Sequence, residues 1–369
     1  MHSDVVLWIV VATALAFDFT NGFHDTANSI ATSVSTRAMA PRVAVLMAAG
    51  LNFIGAFLSL AVAATIAKGI VDSTSVTLLT VFAGLIGAIA WNLVTWWRGL
   101  PSSSSHALIG GVVGATIASE GTSGVFWDGL VEKVAVPALV APVLAMIAAG
   151  IAILVAYRIV GRQSPGVVSR GFRVGQWASS ALFSLSHGTN DAQKTMGIIF
   201  LALVANGNMS ADADIPLWVV VSAASAIALG TYFGGWRIVR TMGAKIIKMD
   251  PAQGFAAQGV GSAVILSASH VGFPLSTTHV MSGAIMGAGA AKRLSAVRWG
   301  VAGNIVLAWV LTLPCSAAVG ALTYGVVRIF GDGSVGPVVV VVVLVAALIA
   351  LFARRSIGGG RAVPAEGTR

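Results

Sequence analysis

Charge is what this sequence has least of. Asp, Glu, Lys and Arg make up 9% of its 369 residues, against about a quarter in an ordinary soluble domain. Hydrophobic residues reach 57% and mean hydropathy is +0.90. This excludes disorder and a soluble enzyme with a polar shell, and leaves a polytopic membrane protein. Cysteine is nearly absent: Cys315 stands alone in an apolar run, so no internal disulfide forms and redox compartment is not indicated. A basic segment is missing from the N-terminus, where Asp4 is the only early charge. No cleavable signal peptide is expected, and the first apolar run is expected to stay. A basic, aromatic-interleaved segment is missing too, so the net charge of +9 does not indicate nucleic acid. It fits cytoplasmic loops that follow the positive-inside rule.

What is present is a series of apolar runs. They cover residues 5–19, 43–67, 76–97, 107–119, 134–157, 178–205, 217–236, 259–272, 280–291, 299–327 and 335–352. A bilayer crossing takes about 20 residues. The runs 5–19, 107–119, 259–272 and 280–291 are too short and abut polar clusters, as broken or re-entrant helices do. The expected fold is an all-α polytopic membrane protein with about 10–12 membrane segments. Three basic groups read as cytoplasmic: Arg158, Arg162, Arg170 and Arg173; Arg237, Arg240, Lys245 and Lys248; and Lys292, Arg293 and Arg298. The stretch holding Asp212 and Asp214 has no basic residue and reads as external. Counting spans back puts the N-terminus outside. The tail after 352, with Arg354, Arg355 and glycines 358–360, reads as flexible.

Two polar clusters occur twice. Asn21-Gly22-Phe23-His24-Asp25-Thr26-Ala27-Asn28-Ser29 is matched by His187-Gly188-Thr189-Asn190-Asp191-Ala192-Gln193-Lys194-Thr195. Gly99-Leu100-Pro101-Ser102-Ser103-Ser104-Ser105-His106 is matched by Gly272-Phe273-Pro274-Leu275-Ser276-Thr277-Thr278-His279. Gly22 to Gly188 and His106 to His279 are 166 and 173 residues apart, so order and spacing are both duplicated. The expected organisation is a first repeat over 1–160, a basic cytoplasmic linker over 161–174, a second repeat over 175–330, and a last span and tail over 331–369. Five crossings lie between corresponding clusters. An odd count inverts the second repeat, with re-entrant hairpins from opposite sides.

Chemistry concentrates in these clusters. A carboxylate at membrane depth costs at least about 2.5–3.5 kcal/mol, so Asp25 and Asp191 each need a cation, a proton or a lysine. The plain alternative, a helix-packing aspartate held by backbone N–H groups, fits one such residue better than a matched pair. Thr26, Asn28, Ser29, Thr189 and Asn190 add hard oxygen ligands of the kind Na+, Ca2+ or Mg2+ take. The hydroxyl runs 102–105 and 276–278 each follow a proline and open a glycine-containing helix. A helix start offers free N–H groups and the positive dipole end, which suit an oxyanion. Each run exceeds what one N-cap needs.

Five of the six histidines fall in or beside the clusters: His24, His106, His187, His270 and His279. His106 and His279 read as braces of the hairpins. No His/Cys pair has zinc spacing, no nucleophile elbow surrounds the serines, and no Walker loop supports ATP drive. An enzyme is not indicated, and an ion gradient is left as the energy source. Gly110, Gly114, Gly283 and Gly287 keep a four-residue spacing that lets helices approach closely. Trp91, Trp96, Trp97 and Trp309 read as interfacial anchors.

These residues resemble a known family. The Gly-Phe-His-Asp-Thr-Ala-Asn-Ser string from Gly22, the Trp-Asn-Leu-Val-Thr-Trp-Trp string from Trp91, the Pro-Ser-Ser-Ser-Ser-His string from Pro101, the His-Gly-Thr-Asn-Asp-Ala-Gln-Lys string from His187 and the Trp-Val-Leu-Thr-Leu-Pro string from Trp309 look like the inorganic phosphate transporter (PiT) family. The resemblance covers nearly the whole chain. It implies an inverted-repeat symporter of inorganic phosphate, working by alternating access in a lipid bilayer, here a bacterial inner membrane, with no resident cofactor. Carried over residue by residue, it implies coupling-ion roles for Asp25, Asn28, Asn190 and Asp191, with Asp25 and Asp191 as cation ligands. Ser103, Ser104, Ser105, Ser276, Thr277 and Thr278 would hold phosphate, supported by Thr26, Thr189, His106 and His279.

Lys194 departs from the sodium-coupled pattern, which has an asparagine there matching Asn28. Its ammonium could replace one sodium ion beside Asp191. Asn52 and Asn304 stand where some relatives have glutamate. The resemblance is closer to the bacterial low-affinity type, which implies H+ coupling, or carriage of phosphate as a neutral complex with Mg2+ or another divalent cation, with Na+ as the other coupling ion. A homodimer is compatible with it. The alternatives are a symporter of sulfate or another tetrahedral oxyanion, and an uncoupled phosphate channel or sensor.

Overall fold

The computed structural model describes residues 2–72 and 76–358. Among these the chain is helical, with an isolated antiparallel bridge between Val71 and Val125 as its one extended pairing. The first half forms α1 (His2–Ser35), α2 (Pro41–Gly55), α3 (Ala61–Lys68), α4 (Leu78–Arg98), α5 (Ser104–Glu120), the single turn α6 (Trp127–Leu130) and α7 (Val136–Val160). The second forms α8 (Pro165–Ala205), α9 (Leu217–Phe233), α10 (Trp236–Arg240), α11 (Pro251–His270), α12 (Thr277–Ala290) and α13 (Trp299–Arg328), followed by α14 (Val335–Gly358).

Four stretches are long and apolar enough to cross a membrane: Asp4–Ser35, Leu78–Arg98, Trp127–Val160 and Trp299–Arg328. The pair Leu217–Phe233 and Trp236–Lys245 makes a fifth if its 58° bend lies within one span. Leu139, Val140, Val143, Ile147 and Ile151 of α7, and Val306, Leu307, Val310 and Leu311 of α13, are exposed. Apolar side chains that face outward along whole helices suit lipid and not water. The chain is a membrane protein.

Several sequence expectations shift. The run 5–19 does not end in a break: it is the first half of the continuous 34-residue α1, which carries the Asp25 cluster in its second half. The His187 cluster lies likewise inside the 41-residue α8. Both helices stay intact because their polar side chains find partners. Thr20, Thr26, Ser184 and Thr189 return their hydroxyls to carbonyls three or four residues back, and His24, Asn28, Asn190 and Lys194 bond groups outside their own helix. Most of the segment 161–174 is helical, with a turn only at 161–164. Pro165 at the first helical turn, after an extended Ser164, starts α8 there, so Arg170 and Arg173 project from an exposed helical end. Arg354 and Arg355, expected in a free tail, belong to α14, whereas Gly359 and Gly360 lie outside the described residues.

The glycine spacings are used in pairs. α5 packs on α4 and on α13 of the other half; α12 packs on α11 and on α7 of the other half. At Gly114 an added Cβ would overlap the carbonyl oxygen of Ala317, and at Gly287 that of Met146. Only a residue without Cβ allows these backbones so close. α1 likewise crosses α9, as α8 crosses α2. Each half thus leans on corresponding helices of the other. Trp91 and Trp309, read as interfacial anchors, are internal ties instead. Trp91 Nε1 donates to Thr312 Oγ1 at 2.9 Å, and Trp309 Nε1 to the Pro101 carbonyl at 3.1 Å, because both face the α4–α5–α13 packing.

Candidate functional site

The four clusters meet at one place. α1 brings Asp25 and Asn28, α8 brings Asn190, Asp191 and Lys194, and the starts of α5 and α12 bring their hydroxyl runs. All of these residues are buried. Gly99 and Gly272, in left-handed conformation, turn the chain from the ends of α4 and α11 into the extended strings that precede α5 and α12. The two hairpins so formed meet tip to tip. His106 and His279 contact edge to face with ring centroids 4.7 Å apart, and His279 stacks on Trp309.

The hairpin hydroxyls reach both aspartates. Thr277 Oγ1 donates to Asp191 Oδ2 at 3.2 Å, and Thr278 Oγ1 to Asp25 Oδ1 at 3.4 Å. Asn28 Nδ2 donates to the same two hydroxyls at 3.2 and 2.9 Å. From the other hairpin, Ser105 Oγ accepts from Lys194 Nζ at 2.5 Å. Lys194 also pairs with Asp191 and donates to the Leu275 carbonyl at 3.0 Å. That carbonyl accepts from Ser105 and Asn190 as well. A buried ion pair holds only when further hydrogen bonds complete it, and Ser105, Asn190, Thr277 and Leu275 supply them.

The two aspartates are oriented in the same way. The residue before each one bonds it: His24 Nδ1 lies 2.6 Å from Asp25 Oδ1, and Asn190 Nδ2 donates to Asp191 Oδ1 at 2.8 Å. A hydroxyl near the end of the preceding hairpin helix holds each of these in turn. Thr95 Oγ1 is 3.1 Å from His24 Nε2, and Ser269 Oγ donates to Asn190 Oδ1 at 3.3 Å. Sequence reading gives no role to Thr95, although it lies in the string from Trp91, or to Ser269, a lone hydroxyl outside the duplicated strings. It also passed over His187, whose Nε2 lies 3.0 Å from Asp191 Oδ2. Its place at the head of the second cluster was the available clue.

Asp25, His187 and Asp191 each offer one ligand atom within 4.8 Å of the others. Asn28 Oδ1 and Ser104 Oγ are buried without a partner among the described residues, and Asn28 bonds the same two threonines that reach the aspartates. Two carboxylates with an orphaned amide oxygen make a donor set fit for a hard cation. Other expected residues take different places. Ser103 and Ser276 cap their helices, accepting from the backbone N–H of His106 and His279 at 3.1 and 3.2 Å, and each keeps its O–H as a donor. Thr26 turns its hydroxyl to the Gly22 carbonyl of its own helix at 2.6 Å and to the Thr231 carbonyl of α9 at 3.3 Å, and Thr189 turns its hydroxyl to the Gly55 carbonyl of α2 at 2.9 Å, so that both brace helix crossings. Asn52 is buried against His187 and Thr231. Asn304 lies on the exposed face of α13, away from the cluster.

A family model, the phosphate transporter family, matches the chain over residues 21–320. The chain belongs to the phosphate transporter family. Among relatives, a Mycobacterium bovis protein described as "Probable low-affinity inorganic phosphate transporter" is 58% identical over 327 residues, covering 88% of this chain and 78% of that one. A Bacillus subtilis protein of the same description is 46% identical over 319 residues, covering 86% and 95%. A solved structure, "The sodium-dependent phosphate transporter", superposes with TM-score 0.75 at 27% identity, covering 88% of this chain and 99% of that one. Relatives that carry these names are transporters, in keeping with a chain that is not an enzyme.

Proposed function

We propose that this member of the family is a secondary active symporter of inorganic phosphate, driven by protons. One observation carries the reading: hydroxyls of both hairpins end on the paired carboxylates and the lysine of α1 and α8, through Thr277, Thr278 and Ser105. Phosphate bears between about one and two negative charges at neutral pH. Held by Ser104, Ser105, Thr277, Thr278 and the first-turn N–H groups of α5 and α12, it faces two helix N-termini. Lys194 supplies part of the balancing charge, in the place where the resembling sodium-coupled pattern has asparagine. Asp25 and Asp191, with Asn28 and Asn190, take the coupling ion, or a divalent cation such as Mg2+ that enters with phosphate as a neutral complex.

The halves act as inverted repeats. The reciprocal packing of α5 on α13 and α12 on α7 supports this, since each hairpin is carried by the opposite half. Rocking one pair against the other opens the shared site alternately to either side. The exposed basic ends at Arg170 and Arg173 face the cytoplasm, which puts the N-terminus outside and fits a bacterial inner membrane. Purified protein in liposomes tests the reading. Uptake of phosphate should follow an inward pH gradient without Na+, and arsenate but not sulfate should compete. Uptake that needs Na+ and ignores the pH gradient would overturn the coupling.

A further inference from the structure

Asp18 stands on α1 two turns before Asp25, and the site above does not use it. It is wholly buried, and neither of its oxygens has a hydrogen-bond partner among the described residues. Its side chain lies against Asn21, one turn on, and Thr195 of α8. Asn21 Oδ1 and Thr195 Oγ1 are also buried without partners. Four orphaned oxygens therefore gather at the α1–α8 contact. They are distinct from the central cluster, where Asp25 is taken by His24 and Thr278, and Asp191 by Asn190, Lys194 and Thr277.

We propose that Asp18 is a proton-binding site of the transport cycle, separate from the Asp25–Asp191 centre. An ionised carboxylate only accepts hydrogen bonds, and burying one without a counter-ion is costly. One proton removes that charge. The Asp18 carboxyl then donates to Asn21 Oδ1, and the Thr195 hydroxyl donates to the other Asp18 oxygen. Every orphaned atom gains a partner. A hard metal ion asks for about six or more oxygens, and only these four are unpartnered there. The charged groups that act on Asp18 are Asp191 and Lys194, both of α8. Lys194 is committed to Asp191, Ser105 and the Leu275 carbonyl, so it leaves Asp18 without a counter-ion.

The placement links this proton to the cargo. Thr195 follows Lys194 on α8, and Asp18 and Asp25 share α1. A shift of α1 along α8 that opens the Asp25–Asp191 pair also parts Asp18 from Thr195. On one side of the membrane hydronium gives its proton to the Asp18 carboxylate and leaves as water. On the other side the carboxyl returns that proton to water.

The coupling role rests on the symport reading above; the protonated carboxyl does not. Two measurements keep them apart. In proteoliposomes, Asp18→Asn should lose accumulation driven by the pH gradient while phosphate exchange persists, and Asp18→Glu should accumulate. In infrared spectra of purified protein, a carboxylic-acid band should vanish in Asp18→Asn and move in Asp18→Glu. Wild-type-like accumulation by Asp18→Asn overturns the proposal, as does exchange lost together with accumulation in a folded variant. Loss of Na+-driven accumulation in Asp18→Asn would give the site to sodium and overturn it too. If Asp18→Asn does not fold, the Asp18→Glu spectrum decides, and a band that does not move overturns it. A wild type that carries no phosphate sinks the symport reading, and the band still reports on Asp18.

Discussion

Lys194 Nζ donates to Ser105 Oγ at 2.5 Å while its charge pairs with Asp191 one turn back in α8. One ammonium thus ties a hairpin of the first half to the aspartate motif of the second. Removing it leaves a buried carboxylate uncompensated, a loss on the order of 3–5 kcal/mol. Lys194→Asn should lower the melting temperature and reduce Na+-free uptake to near background. Added Na+ should restore part of the stability, because an ion that binds only the folded state shifts its melting. Scanning calorimetry with NaCl against choline chloride checks this.

The aspartates should be needed for transport. Asparagine keeps the shape and one acceptor, so Asp25→Asn should elute as the wild type does in size-exclusion chromatography, whereas Asp191→Asn leaves the Lys194 ammonium unpaired and should also melt lower. Both should take up no phosphate. Near-normal uptake in both would remove them from the mechanism.

Hydroxyl removal should act on affinity. A hydrogen bond to a charged group contributes about 1.5–3 kcal/mol, so Ser104→Ala and Thr277→Ala should each raise half-saturation roughly ten- to a hundredfold. Maximal velocity should change less. Initial rates over a phosphate series separate the two parameters.

Close packing at the hairpins gives a stability test. Gly114→Ala and Gly287→Ala place a Cβ on the carbonyls of Ala317 and Met146. Each should destabilise by about 1–3 kcal/mol and lower the melting temperature. Gly171→Ala, in the exposed first turns of α8 where nothing lies near an added Cβ, should not lower it and should raise it slightly, because alanine favours the helix.

Much of the site could be read from the chain, because duplication marks it twice. Asp25 and Asp191, Ser105 and Thr277, and the glycine pairs are found by self-similarity alone, and the structure gathers them. The sequence was silent where a residue's role lies in another helix. Thr95 and Ser269 matter through the residues they hold, and Asp18 through the lack of a partner, which only three-dimensional neighbours reveal. The helix ends were misjudged for a related reason. Hydropathy marks a polar cluster as a break, but α1 runs through its cluster because α4, α9 and α12 bond His24, Asp25, Thr26 and Asn28. Trp91 and Trp309 misled in the same way: a tryptophan near a span end looks like an anchor until its N–H is seen to reach Thr312 or Pro101.

The crossed packing of α5 on α13 and α12 on α7 bears on biosynthesis. α5 is made early, but the helix that covers its glycine face comes near the end of translation. Until then Gly110 and Gly114 present open backbone to lipid or to the insertion machinery. Contacts between segments so far apart in sequence form late in folding. The first half therefore has no finished form of its own, and a ribosome that stalls before α13 leaves a half-assembled chain for the membrane's quality control to meet.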